Sequence, residues 1–253
     1  MPKKVTIKQI KQSSLTAILT SMPRVAYIGL VWTLILFITS MLNNELTGMR
    51  ALNEALTELT KKATTIDPDA FQSVIANYSG NLHPIGPLLS TLLSLLMLVV
   101  EAGFMWYTLR VSRGQKSDVK SLFDGFAHFG RLLLLRILQN LALFVGLLFF
   151  IAPGIILHYS FSMAVYICYD NPEMSAIKCL QASVTMMKGH KFELFKLHFS
   201  FIGWYALELL SANVMYFIYP LISCWVSLFY GVSASAFYNN LIGFVPSPPV
   251  VEV

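Results

Sequence analysis

The 253-residue chain is 56% hydrophobic and only 12% charged, about half the roughly 25% charge of a soluble domain. Too little charge is present to cover a water-soluble surface, and 13% aromatics rule out intrinsic disorder. The mean hydropathy of +0.64, with a net charge of +5, reads as a polytopic membrane protein whose basic excess faces anionic lipid. No dense Lys/Arg run suits nucleic acid, which is set aside as a partner.

The N-terminus does not have the form of a cleavable signal peptide, because its apolar run starts only after Arg24. A span needs about 20 apolar residues. Val25 to Asn44 carry no charge, predicting a first span near 24–43. The next apolar run, interrupted only by Glu101, predicts a second span over 85–109. Between them lies the one sizeable external piece, 44–84. Leu46, Met49, Leu52, Leu56 and Leu59 recur there at helical spacing. Asp67 suits an N-cap and Pro68 the first helical position, ahead of Phe71, Val74, Ile75 and Tyr78. Two short amphipathic helices are expected; the competing reading is a flexible acidic loop.

Ile137 to Tyr169 has no charge and is too long for one helix. Pro153-Gly154 at its centre predicts spans 132–152 and 154–169 meeting in a tight turn. A fifth span is expected over 197–217, with Glu208 inside it, and a sixth over 221–243 after Pro220. The tail 244–253 holds three prolines and should fray. The fold class is therefore all-α: a polytopic membrane helix bundle of six transmembrane helices as three hairpins, one integral domain over 1–243. Charge tests this arrangement. Lys3, Lys4, Lys8, Lys11, Arg24, Arg110, Arg113, Lys116, Lys120, Arg131, Arg136, Lys178, Lys188, Lys191 and Lys196 fall on one side. Only Arg50, Lys61 and Lys62 fall on the other. Both termini are then cytoplasmic.

The segments ahead of the hairpins look alike. Val119, Leu122, Phe123, Phe126 and Phe129 line one helical face, as do Ile177, Leu180, Val184 and Met187. Ile7, Ile10, Leu15, Ile18 and Met22 do so less cleanly. Ser117-Asp-Val-Lys120-Ser-Leu122 can be laid on Ser175-Ala-Ile-Lys178-Cys-Leu180. Three copies of one unit are expected, each an in-plane amphipathic helix followed by a hairpin, resting on anionic headgroups at the cytoplasmic face. Amphipathic stretches are common enough to coincide without a repeat.

Met187-Lys-Gly189-His190-Lys191, continuing to Leu197 and Ser200-Phe-Ile-Gly203-Trp204, has the look of a family signature. So does Ala152-Pro153-Gly154-Ile155 followed by Tyr159-Ser160-Phe161-Ser162-Met163-Ala164. With Asp170, Asn171, Pro172, Ser183, Pro220 and Phe229-Tyr230, the set resembles the domain-of-unknown-function 975 family of bacterial membrane proteins, strongly over about 110–243 and weakly over the first hairpin. The resemblance implies a multi-pass plasma-membrane protein without an assigned activity. More distantly the chain is similar to membrane domains attached to glycerophosphodiester phosphodiesterases. A catalytic barrel has no room here, so that activity is not expected. Gly189 can end a helix at positive φ. Trp204 suits packing, and Tyr159 and Ser160 suit bonds across helices.

Ionisable residues inside spans are expensive and thus informative. Glu101 and Glu208 are the acids, Asn140 and His158 the other polar candidates, and Arg136 could snorkel or pair with Glu101. The sharp reading is a proton or cation relay through both acids; the bland one is two carboxyls that tie helices together. No hydrolase or nucleotide signature appears, and His190 and His198 are wrongly spaced for a metal. Cys168, Cys179 and Cys224 read as buried hydrophobes. No enzyme, metal or cofactor is expected. Two functions stand: a non-enzymatic module organising lipid or a partner protein, and a small permease using Glu101 and Glu208. Gly231 and Ser235 offer a small-residue face for a homo-oligomer, though such pairs also occur within monomers.

Overall fold

The computed structural model describes residues 6–62, 68–80, 84–214 and 218–244. Asp67, His83, Lys3, Lys4 and the tail beyond Phe244 lie outside the described residues. Among those described, the chain is helical and has no strand. Its contacts form two compact units, Leu34–Met97 and Met1–Thr33 with Leu98–Val253.

In the smaller unit the helix α2 (Arg24–Leu46) runs against a later long helix, 86–112. Thr39 donates to Met97 Sδ at 3.4 Å and Ser90 donates to Asn43, which sets them antiparallel. The two expected short helices form as α3 (Met49–Lys62) and α4 (Pro68–Gly80), packed on each other. Tyr78 ties them down by donating to the Thr47 carbonyl at 2.8 Å. Arg50 pairs with Glu45 and Glu54 in water-exposed positions, where such pairs contribute little.

The larger unit begins with α1 (Ile7–Thr20), started by a Thr6–Gln9 capping box. It buries Ile10, Ser14 and Ile18 and packs on the last helix of the chain. The helix α5 (Gly86–Ser112) is crossed by a 3₁₀ helix at Val119–His128. At the crossing, a side chain on Gly103 would stand 1.9 Å from the Leu122 carbonyl oxygen, so only glycine fits. The single α-helical face expected at 119–129 is not formed. Three residues per turn put Phe123, Phe126 and Phe129 in one row, with ring centroids 6.3 and 6.2 Å apart. Leu122 is buried instead, while Phe123 and Phe126 are exposed.

The third and fourth expected spans form as α6 (Phe129–Phe149) and α7 (Ile151–Phe161), the latter followed by α8 (Ala164–Asp170). Their break falls at Phe150, which is extended at φ −167°, and not at Pro153-Gly154. Pro153 sits in the first turn of α7, where a missing N–H costs nothing. Gly154 lets α6 close on α7: a side chain there would meet Leu147 Cδ2 at 2.6 Å. The hairpin is antiparallel, since Gln139 reaches the Phe161 carbonyl at 2.8 Å.

The helix α9 (Ala176–Met186) is followed by Gly189 at φ +82°. The fifth expected span, 197–217, is not one helix. It starts earlier, as α10 (Lys191–Phe199), and resumes as α11 (Ile202–Val214). At the break Ser200 bonds back to Leu197, and Lys11 donates to the Ser200 carbonyl and hydroxyl at 3.1 and 3.3 Å. The ammonium satisfies a carbonyl the interrupted ladder leaves open, and burial lowers the Lys11 pKa. The register nonetheless carries through the break. His198, Phe201 and Trp204 meet Tyr230, Phe229 and Trp225 of α12 (Tyr219–Leu241), at centroid distances of 5.0, 5.0 and 6.4 Å. Both pieces therefore run antiparallel to α12. Pro220 lies in the first turn of α12.

Two side-chain bonds four residues apart on each helix, Thr108–Ser235 at 3.0 Å and Asn239–Ser112 at 2.8 Å, make α5 and α12 parallel. Gly231 sits against Thr108, 2.8 Å from where its Cβ would be. The small-residue face of Gly231 and Ser235 is thus filled by α5 inside the chain and is not open to a second copy. Five helical stretches among the described residues are long and apolar enough to cross a membrane: Arg24–Leu46, Gly86–Ser112, Val119–Leu148, Ile151–Asp170 and Tyr219–Leu241.

Candidate functional site

The carboxyl ends of α5, α8 and α12 converge on a polar cluster. Trp106, Arg110 and Arg113 lie at i, i+4 and i+7, one face of α5. They bond the Val165 carbonyl at 3.0 Å, the Tyr169 hydroxyl at 2.9 Å and the Asp170 carboxylate. The Arg113–Asp170 pair is bidentate, 2.7 Å on each arm, the strongest geometry for such a pair. Tyr238 donates to the same carboxylate at 2.8 Å, and Arg113 Nε donates to Asn239 at 2.9 Å. The Arg113 side chain is only 8% exposed. Burial opposes its charge, but Asp170 outweighs burial and raises its pKa. Arg110 also pairs with Asp124, and Arg131 donates to the carbonyls of Cys168, Asn171, Pro172 and Met174. Three arginines thus sit where the helix ends present unpaired carbonyls and negative dipole ends.

A second ionic centre lies deeper. Arg136 pairs with Glu101 at 3.2 Å and touches Met105 Sδ at 3.4 Å. The Glu101 side chain is 49% exposed and that of Arg136 16%. Arg136 Nε and Gln139 Oε1 are buried without a hydrogen-bond partner among the described residues. Among the described residues, the other polar candidates make no hydrogen bond or ion pair to this centre. Asn140 and His158 are exposed, the latter edge-on to Tyr159 at 5.4 Å. Glu208 is half-buried on α11, and no hydrogen bond or ion pair among the described residues links it to Glu101.

The motif residues join helices. Ser183 donates to the Ser160 carbonyl at 2.8 Å and accepts from the Met163 amide at 3.2 Å, pinning α9 to the bend between α7 and α8. Tyr159 meets His198 Nδ1 at 3.4 Å, and His190 bonds Glu193 at 2.8 Å. Trp204 stands against Trp225 and Phe229. Gly203 has open space beside it. All three cysteines are buried, with Cys168 donating to Cys179 at 2.7 Å. Among the described residues no group of three or more His, Cys, Asp or Glu is gathered for a metal ion.

Sequence reasoning reached Asp170 through the motif but missed Arg113 and Tyr238 as its partners, and Asn239 and Ser112 behind Arg113. The available signal was the helical spacing of Trp106, Arg110 and Arg113, three polar-tipped residues on one face at the end of an apolar run.

Among the described residues these features define an all-helical chain with five helices long and apolar enough to cross a membrane. Residues 141–236 match the family described as Protein of unknown function (DUF975). This stretch contains every motif residue from Pro153 to Tyr230 and is narrower than the resemblance read from the sequence. No curated protein and no solved structure matches the chain.

Proposed function

We propose that this is a multi-pass protein of the bacterial plasma membrane, a non-enzymatic module that organises lipid or a partner protein at the cytoplasmic leaflet. The parallel run of α5, α8 and α12 supports three hairpins, because the chain must return between each of them. The fifth crossing is then the broken pair α10 and α11, and both termini are cytoplasmic. The three helices that end together are the return arms of the repeated unit, and α1, the 3₁₀ helix and α9 are its leading segments.

The observation that carries the lipid reading is an exposed row of aromatics with basic tips. Phe192, Phe195 and Phe199 stack along α10 at 6.0 and 6.1 Å, all three exposed. Lys196 folds back one turn over Phe192, its ammonium 4.4 Å from the ring centroid. That is a snorkelling cation at a headgroup boundary. Phe123 and Phe126 repeat the pattern beside Lys120. The second reading, a small permease, is favoured by the incompletely satisfied Glu101–Arg136 centre, since intramembrane charge is often functional.

One experiment separates them. In a chain lacking Cys168, Cys179 and Cys224, single cysteines at 101, 126, 195 and 208 are probed in intact cells and inverted vesicles. On the module reading, 126 and 195 carry nitroxide labels accessible to oxygen in the acyl boundary, and 101 and 208 resist a membrane-impermeant thiol reagent. Labelling of both 101 and 208 would put the permease first.

A further inference from the structure

The helix α6 carries four polar side chains, and three of them have partners inside the chain. Arg131 holds backbone carbonyls around the end of α8, Arg136 pairs with Glu101, and Gln139 donates to the Phe161 carbonyl. The fourth, Asn140, is exposed and makes no side-chain hydrogen bond to another described residue. Counted from Phe129 at the helical rise, it stands about 16 Å along a helix about 31 Å long. In a span that is the middle of an acyl layer about 30 Å thick. Neither water nor a headgroup reaches there, and an amide left unbonded in hydrocarbon is expensive. The residues around it form an unpartnered face. Leu134, Ile137, Leu141, Phe144 and Leu148 recur at alternating steps of three and four, all between 46% and 69% exposed. Asn140 sits three residues from Ile137 and four from Phe144, on the same side of the helix. The side of α6 that meets α7 is a different one, where Gly146 closes on Gly154 and Leu157. The helical stretch holding α6 is also the least buried of the five apolar stretches.

We propose that this face of α6 is a dimer interface whose occupant is a second copy of this chain, with the two Asn140 amides bonded to each other. The second copy follows from the chemistry of the face. Its side chains are apolar apart from one neutral amide, so no ionic partner fits it. A side-chain amide holds both donor and acceptor and is its own complement. Two copies inserted the same way, related by a twofold axis along the membrane normal, bring position 140 to the same depth in each. Steps of three and four make the seam of a left-handed helix pair, and a single amide at such a seam fixes its register. A lipid tail covers the apolar residues equally well but offers the amide nothing. The pairing rests on α6 crossing the membrane, as in the proposed function.

The test uses the full chain, labelled at its amino terminus with donor or acceptor dye and reconstituted in vesicles of phosphatidylethanolamine and phosphatidylglycerol. Energy transfer is followed as added lipid dilutes the protein. A reversible dimer is expected, and its dissociation constant should rise about tenfold in Asn140→Leu, as loss of an interhelical amide pair implies. Asn140→Gln keeps donor and acceptor and should stay within about threefold of the wild type. Leu221→Ala, at an exposed site on α12, should leave the constant unchanged. In a chain lacking Cys168, Cys179 and Cys224, Phe144→Cys should cross-link between copies under mild oxidation, and Leu221→Cys should not. Energy transfer no greater than random proximity gives, or an unchanged constant in Asn140→Leu, overturns the dimer. So does a Phe144→Cys cross-link made only to a different protein in native membranes. Asn140 bonds nothing within the chain, so Asn140→Leu should unfold at the wild-type temperature when both are monomeric; Asn140→Gln and the cross-links carry the test if it does not. Release of the chain from membranes by alkaline carbonate overturns the membrane reading and the dimer together, whereas a monomer that stays inserted overturns the dimer alone.

Discussion

Arg113 and Arg136 are both arginines paired with a carboxylate in the same helical unit, yet their surroundings differ. Around Arg113 each of the three guanidinium nitrogens has a partner: two carboxylate oxygens and the Asn239 carbonyl, with Tyr238 and Ser112 closing the network. Around Arg136 one ion pair and one sulfur contact stand beside two unsatisfied atoms, and Glu101 is half-exposed. A fully satisfied network fixes a unique arrangement of helices, whereas a partly satisfied one leaves room for water or for a change of partner. The first is suited to locking three helix ends together.

Substitutions rank the two centres. Arg113→Met leaves the half-buried Asp170 carboxylate without its cation, held by Tyr238 alone, and should cost about 3 kcal/mol in equilibrium unfolding by denaturing detergent. A double variant, Arg113→Met with Asp170→Leu, should recover much of that loss; no recovery would mean the pair is not the reason for it. Tyr238→Phe removes one bond to the carboxylate and should cost about 2 kcal/mol, with the loss smaller in an Asp170→Asn background, whose neutral amide oxygen accepts a weaker bond. Glu101→Gln should cost only about 1 kcal/mol, because the amide oxygen can still accept from Arg136. A loss as large as that at Arg113 would erase the contrast drawn above. Ser235→Ala, which breaks the bond to Thr108 at the α5–α12 crossing, should cost about 0.6 kcal/mol, measurable only by a double-variant cycle with Thr108→Val.

The helices were largely legible from periodicity and charge, because each follows from its own residues. The breaks were less so. Pro153-Gly154 marks the right turn but not its pivot, since proline is tolerated in the first turn of a helix and Phe150 can take the extended backbone instead. The Ser200 break carries no Gly or Pro; Lys11, 189 residues away in the chain, bonds the freed carbonyl. Gly231 and Ser235 read equally as an outward or inward face, and only the neighbouring Thr108 decides between them.

The same division holds for the site. The sequence by itself determined the all-helical class, the long apolar helices and the set of motifs that lies within the stretch matching DUF975. These depend on composition and on spacing along one helix. The tertiary structure alone decided that Asp170 belongs to Arg113 and Tyr238 and that Glu101 and Glu208 stand apart. Such pairings join residues far apart in the chain, and what brings them together is how the helices pack, which no local pattern records.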